Sequence, residues 1–348
     1  MPKTTGTAAP KPANLALQGG GAHGAFTWGV LDYLLEHNLL KIEAISGTSA
    51  GAMNAVVLAQ GFHLGGPDGA REALATFWES VADLGRWSPV QRTLLDVFMG
   101  HWSLEYSPGY VLADLMGRVV SPYETNPLNL NPLRGLLESQ VDFEAVWNCH
   151  QFKLFLSATN VQTGRVKVFK GKEINADVVL ASACLPFLFQ AVEIDGVPYW
   201  DGGYMGNPVL FPFFDSKSCS DVVIVQINPV YRKGAPRTAR EIMDRVNEIT
   251  FNASLLREFR AIDFVARLLE EGRLSHEQYN AVRVHIIGEQ ELDTLGASSK
   301  MNTEWTFLKH LRDMGRAAAQ KWAEKDLQHL GKKSSVNLRR LFQGTENK

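Results

Sequence analysis

Residues 14–36 read NLALQGGGAHGAFTWGVLDYLLE. An apolar run, three consecutive glycines and an amphipathic run follow one another without a break. The first five residues suit a short buried strand. Across 25–39, Phe26, Val30, Leu31, Leu34 and Leu35 recur on one face of a helix. The plan then repeats: IEAISG (42–47) predicts a second strand, and AMNAVVLAQG (52–61) a second helix that ends at its glycine. Strand, glycine loop, helix, strand, turn and helix form the opening of a parallel α/β sheet.

The glycine loop admits two readings. Gly19, Gly21 and Gly24 satisfy the dinucleotide-binding spacing, which also needs an acid at the end of the following strand. Glu43 stands near the start of that strand, and its end is Ser46-Gly47-Thr48. The second loop favours another use. Gly47-Thr48-Ser49-Ala50-Gly51 is a G-x-S-x-G sequence in the strand–turn–helix setting of a nucleophile elbow. Ser49 is then the candidate nucleophile, and Gly47 and Gly51 relieve crowding at the turn. Neighbouring parallel strands bring both loops to one sheet edge. The N–H groups of Gly20, Gly21 and Ala50 are there the candidate oxyanion donors.

Bulk properties narrow the class. The 348 residues are 45% apolar and 21% charged with a net charge of -2, an ordinary globular balance that makes no case for nucleic acid. Cys149, Cys184 and Cys219 are too few and too irregular for a disulfide framework or a metal site. The start of the chain lacks the apolar core of a signal peptide, and no run suits a membrane span. A cytoplasmic protein is expected, with peripheral membrane contact as a further expectation.

Further along, residues 1–12 read as a disordered leader, 13–330 as one catalytic domain and 331–348 as a basic tail. The stretch 77–125 breaks the rhythm, with Trp78, Trp87, Trp102, Phe98, Tyr106 and Tyr110. It suits either a lid or core packing. Residues 131–148 predict one helix, and 152–171 two strands around NVQTG. A helix is expected up to Pro186, then a hairpin turning at Asp195-Gly196 and a strand at 221–229. From 236 to 330 the chain is mostly helical around a strand at 281–288, its closing helix capped by Asn302 or Thr303.

A serine nucleophile needs a proton acceptor. The histidines lie in helix-like, strand or featureless stretches, except His23, which is inside the glycine loop and reads as a residue that orients substrate or the loop. Asp201, in PYWDGGYMGNP, follows an apolar strand and precedes Gly202 and Gly203. By itself this is equally the chemistry of a hairpin turn.

Together GGGAHG (19–24), GTSAG (47–51), ASACLP (181–186) and DGG (201–203), in this order and at these distances, resemble the patatin-like phospholipases. The resemblance runs from about Asn14 to about Pro229. It implies a three-layer α/β/α sandwich with a mainly parallel central sheet and a helical C-terminal part. It implies a Ser49–Asp201 dyad without histidine, an oxyanion hole in the glycine loop, and motif support from Gly19, Gly24, Pro186 and the flanking glycines. It also implies a phospholipid or other lipid ester as substrate, and no metal or other cofactor. The family's loop usually carries Arg or Lys where this chain has His23. A partly charged phosphate or loop-ordering contact is the expectation there. A thioesterase, an acyltransferase or a catalytically idle lipid-binding module are the alternatives on the same scaffold.

Overall fold

The computed structural model describes residues 9–86, 88, 90–214 and 219–344. Among the described residues, eight strands form one sheet: β1 Lys11–Leu17, β2 Leu40–Gly47, β3 Lys153–Asn160, β4 Val166–Lys170, β5 Val192–Ile194, β6 Val197–Asp201, β7 Asp221–Val225 and β8 Arg283–Ile287. The helices are α1 Gly24–Glu36, α2 Ala50–Gly85, α3 Leu94–Phe98, α4 Pro108–Val119, α5 Pro122–Thr125, α6 Pro132–Gln140, α7 Phe143–Trp147, α8 Ala176–Ser182, α9 Ala239–Glu270, α10 Trp305–Lys325 and α11 Leu338–Gln343.

Strands β3, β2, β1, β7 and β8 lie side by side and parallel, and β4, β5 and β6 add antiparallel pairs at the β3 end. The apolar strands β1 and β7 are covered on both faces, as continuous apolar runs require. Alternate residues separate into two cores. Leu15, Leu17, Ile45, Val223 and Val225 pack with α1, α2, α8 and α10. Ala16, Ala44, Val222, Ile224 and Val284 pack with Leu255, Phe259 and Ile262 of α9 and Leu338 of α11. The result is the expected three-layer sandwich.

Registers on β3 position the site. Residues Phe155–Thr159 pair with β4, while Lys153–Leu156 pair with β2 and Ala158–Asn160 with β6. A strand has two edges, so β2 and β6 share the edge opposite β4. They run toward each other: Gly47 ends opposite Leu156, and Asp201 ends opposite Ala158. Ser157 lies in the gap. Its hydroxyl hydrogen bonds to the Thr48 hydroxyl at 2.7 Å and donates to the Gly206 carbonyl at 3.2 Å, joining the two strand ends.

Several boundaries differ from the sequence reading. The helix expected to stop at Gly61 runs on to Gly85, bending at Gly65 and Gly66 before Pro67 restarts it. Gly61 serves close approach instead: a Cβ there would lie 2.7 Å from the Ala70 Cα on the returning half. The 131–148 helix divides because Asp142 caps a new start, accepting from the Glu144 N–H at 2.9 Å. Helix α8 stops at Ser182, short of Pro186. Glu304 is the N-cap residue of α10, and the Asn302 side chain accepts the Glu304 N–H at 3.0 Å.

Residues 1–8 of the expected leader lie outside the described residues, and Lys11 and Pro12 already belong to β1. Trp87 also lies outside them, as do 345–348 of the tail. The preceding part of the tail is folded, with Leu338 of α11 buried in the second core and Arg339 paired with Asp263.

Helices α1 and α10 meet with their backbones nearly touching. A Cβ at Gly29 would collide with the Arg312 carbonyl, and one at Gly315 with the Phe26 carbonyl. Because α1 carries the glycine loop at its N-terminus, this contact sets the height of the loop over the sheet. Gly29→Val should lower unfolding free energy by about 3 kcal/mol or more in urea titrations, as overpacking into rigid backbone does. A loss below about 1 kcal/mol would mean that the helix pair yields freely.

Candidate active site

Ser49 sits between β2 and α2 with φ 54° and ψ -122°. A non-glycine residue rarely adopts this backbone, and such strain persists where the surroundings enforce it. Gly47 and Gly51 face each other across the turn, and Gly51 presses on the Leu17 carbonyl of β1. The Ser49 N–H donates to the Ser182 hydroxyl at 2.8 Å, so the end of α8 anchors the elbow. Only 8% of Ser49 is exposed. Ala50 is the first residue of α2, which aims that helix's unpaired N–H groups toward the serine.

Asp201 is 1% exposed, and the Ser49 side chain is close enough to favour its carboxylate. Its Oδ1 accepts the Gly203 N–H at 2.7 Å. Its main chain is fixed on both sides: the N–H donates to the Cys184 carbonyl at 2.8 Å, and the carbonyl accepts from the Thr159 hydroxyl at 2.8 Å. Burial pushes the Asp201 carboxyl up to about 7, although the Gly203 N–H, the Ser49 hydroxyl and the Lys300 ammonium all favour the carboxylate. A carboxylate with that basicity is suited to accept a serine proton near neutral pH. Gly202 packs on the Ser157 carbonyl, and Gly203 lies against the Phe251 ring of α9. Pro186 follows α8 in the half-buried turn that leads to Phe187.

The glycine loop lies directly over this pair. A Cβ on Gly19 would stand 2.5 Å from the Ser49 Cβ, so only glycine allows the approach. Gly21 has φ 59°, and a side chain there would meet the Lys300 carbonyl. Gly24 begins α1 against Ala50 and Trp78. Asn207 brackets the loop entrance: its Oδ1 accepts the Gly19 N–H at 2.6 Å and its Nδ2 donates to the Gly19 carbonyl at 3.4 Å. Gln18 accepts the N–H groups of Ile227 and Asn228, both at 2.9 Å.

His23 departs from its expected charge. It is 2% exposed, with Nε2 at 2.8 Å from the Ser299 hydroxyl and its ring edge-on to Phe307. Burial, aided by Lys300 and Arg232, brings its pKa down to about 3, so the imidazole is neutral at physiological pH. It orders the loop against 297–301 and α10 and supplies no charge to a phosphate. The cation next to the loop is Lys300.

The aromatic stretch divides. Trp78 is core, and its indole N–H donates to Asn54 Oδ1 at 3.0 Å; Asn54 in turn donates to the Gly24 carbonyl at 3.0 Å. Trp102 stacks on Phe307 and His310. Phe98, Tyr106, Leu112 and Leu115 are exposed.

Sequence reasoning missed Ser182, Asn207, Asn228 and Lys300. Asn207 and Asn228 are each followed by proline, in NP pairs that read as turns. Only their complete burial distinguishes them.

A strained serine against a buried carboxylate, beneath a glycine loop, defines a class of sites capable of acyl transfer. A patatin-like phospholipase family model matches residues 15–214, and the chain belongs to that family. It is 27% identical over 241 residues to the cGAMP-activated phospholipase of Escherichia coli (strain TW11681), an alignment covering 61% of this chain and 59% of that protein. The chain thus spans 59% of that relative's length. Among solved structures, VipD from Legionella pneumophila aligns with a TM-score of 0.36 at 17% identity, covering 88% of this chain and 68% of that one. ExoU, in its complex with SpcU from the Pseudomonas aeruginosa type III secretion system, aligns with a TM-score of 0.38 at 18% identity, covering 92% and 53%.

The raised Asp201 has a consequence for stability. Between the unfolded carboxyl value of ~4 and the folded value of about 7, the native state holds a proton that the unfolded chain has released. This contribution is present at low pH and is lost as pH rises through 7. Asp201→Asn cannot ionise, so its Tm should gain on wild type between pH 5 and pH 8 in calorimetric scans. A constant Tm difference across that range would contradict a folded Asp201 titrating near 7.

Proposed function

We propose that the protein is a lipid acyl hydrolase of the phospholipase A or lysophospholipase type, acting on carboxylic esters of glycerophospholipids. The observation that carries this reading is the pairing, where the β2 and β6 ends meet on β3, of a strained Ser49 with a buried Asp201 whose carboxyl is pushed up to about 7. Ser49 Oγ attacks the ester carbonyl carbon while its proton passes to Asp201. The charge that develops on the carbonyl oxygen is met by the N–H groups of Gly20, Gly21 and Ala50. Collapse breaks the bond to the alcohol, which leaves with the proton from Asp201. Water then attacks the acyl-enzyme, giving up a proton to Asp201, and Ser49 is regenerated as fatty acid leaves.

Substrate delivery in this reading uses the surface beside Asp201. Gln190 donates to the Asn126 carbonyl at 2.7 Å, and Cys184 to the Gln190 carbonyl at 3.1 Å, so the 108–130 segment rests on the turn joining α8 to β5. On α4, Val111, Leu112, Leu115, Met116 and Val119 are exposed along one face. On α9, Ile242, Met243, Val246 and Ile249 form a second exposed face, and Arg240 reaches across to the Tyr110 ring and the Glu105 carbonyl. These two faces are the lid and the peripheral membrane contact, through which an acyl chain leaves a bilayer for the site. Among the described residues no helix is long and apolar enough to cross a membrane. The free, buried cysteines suit a cytoplasmic setting.

The test is fatty acid release from mixed phospholipid and lysophospholipid vesicles. Wild type should release fatty acid, and folded Ser49→Ala and Asp201→Ala should fall by about 10³-fold or more. Activity surviving in Ser49→Ala would refute the assignment. Wild type that is labelled at Ser49 by a fluorophosphonate but turns over only thioesters, or passes the acyl group to another alcohol, would move the substrate class. An inert and unlabelled wild type would favour the idle lipid-binding module.

Binding to the same vesicles separates the lid from the chemistry. Leu112→Ser/Leu115→Ser should lose most vesicle flotation while keeping kcat on a soluble p-nitrophenyl ester within about twofold of wild type. Unchanged flotation would exclude the α4 face from membrane contact.

A further inference from the structure

The Gly19–Gly20 peptide is held by a hydrogen-bonded chain that ends in half-buried Lys300. Lys300 Nζ donates to Asn228 Oδ1 at 2.8 Å, and Asn228 Nδ2 donates to the Gly19 carbonyl at 2.7 Å. Asn207 Nδ2 reaches the same carbonyl at 3.4 Å. This peptide is trans, so its N–H, belonging to Gly20, points opposite to the carbonyl and away from Asn228. Fixing the carbonyl therefore fixes the direction of the Gly20 N–H. The Lys300 main chain shapes the next residue as well, since its carbonyl fills the space that a Gly21 side chain would need.

Hydrogen bonds in series polarise one another, and a charged end strengthens the series. An ammonium on the Asn228 oxygen makes its amide a better donor. A stronger bond to the Gly19 carbonyl then draws electron density from the Gly20 N–H. Asn228 is 1% exposed, so little of this polarisation is screened by water. Desolvation lowers the Lys300 pKa and Arg232 adds to that, while Glu248 and Asp244 of α9 and Asp201 itself favour the ammonium.

We propose that Lys300 and Asn228 are positioning residues for the oxyanion hole, carrying the field of the half-buried Lys300 ammonium through two hydrogen bonds to the Gly20 N–H. Both lie beyond residues 15–214, so the C-terminal part of the chain completes the site. The proposal rests on the acyl-transfer reading above and adds to it the source of the positive potential that neutral His23 does not supply.

The experiment compares wild type, Lys300→Met, Asn228→Leu and the double variant on p-nitrophenyl butyrate, with inhibition by an aliphatic trifluoromethyl ketone. That ketone forms a tetrahedral oxyanion on the serine. Fluorophosphonate labelling of Ser49 and a thermal melt report on folding. Each single variant should lose about tenfold or more in kcat with KM within about twofold, and the ketone inhibition constant should rise by the same factor as kcat falls. The double variant should be no worse than the weaker single, because one chain is broken twice. A rise in KM at constant kcat, an unmoved ketone constant in folded variants, or additive losses would overturn the proposal. If wild type neither labels nor turns over, the acyl-transfer reading fails and this inference with it. Active wild type with unaffected variants removes this inference alone.

Discussion

The site depends on one edge of β3. Strand β2 arrives on it in parallel and β6 returns on it antiparallel, so their ends meet across Ser157. No loop has to be long or closed over for Ser49 and Asp201 to face each other. The sheet's own hydrogen bonds set the distance, and a slip of one residue on either side would turn a side chain to the other face. The close contacts at Gly19, Gly51 and Gly202 then leave little room for adjustment.

Placing a carboxylate at this junction is costly, and the fold sustains the cost. Desolvation raises Asp201, while the Gly203 N–H, the Ser49 hydroxyl and Lys300 recover part of the loss. The balance leaves a group that is basic enough to act and acidic enough to be ionised near neutral pH. The same burial treats neighbouring groups differently. His23 is driven to its neutral form, which suits a brace that ties the glycine loop to Ser299 and to Phe307 of α10. The Cys184 thiol, beside Asp201, is pushed up to about 12 by burial and so stays protonated and inert.

Much of this was legible in the sequence because the signals are local. A strand, a glycine loop and an amphipathic helix are read from a few adjacent residues, and GTSAG and DGG identify turns with particular backbone needs. The hairpin at Asp195-Gly196 is of the same kind. What escaped is non-local. Gly61 looked like a helix stop, but its role is contact with Ala70 after a kink. Lys332–Arg340 looked like a solvated tail, although Leu338 belongs to the second core. Asn228 and Lys300 carry no motif. Their meaning arises only when β7 lies beside β1 and the 297–301 turn packs under the glycine loop. His23 was mistaken for a partly charged contact because burial cannot be read from its immediate neighbours.

The most direct measurement is the rate of Ser49 phosphonylation by a fluorophosphonate as a function of pH, followed by intact-protein mass, in wild type and Asp201→Asn. The account predicts a rate that rises to a plateau with a midpoint near 7 in wild type, and a flat, strongly reduced rate in the variant. Equal rates in the two proteins, or a wild-type midpoint near ~4, would contradict the coupling of Ser49 to a buried carboxyl base.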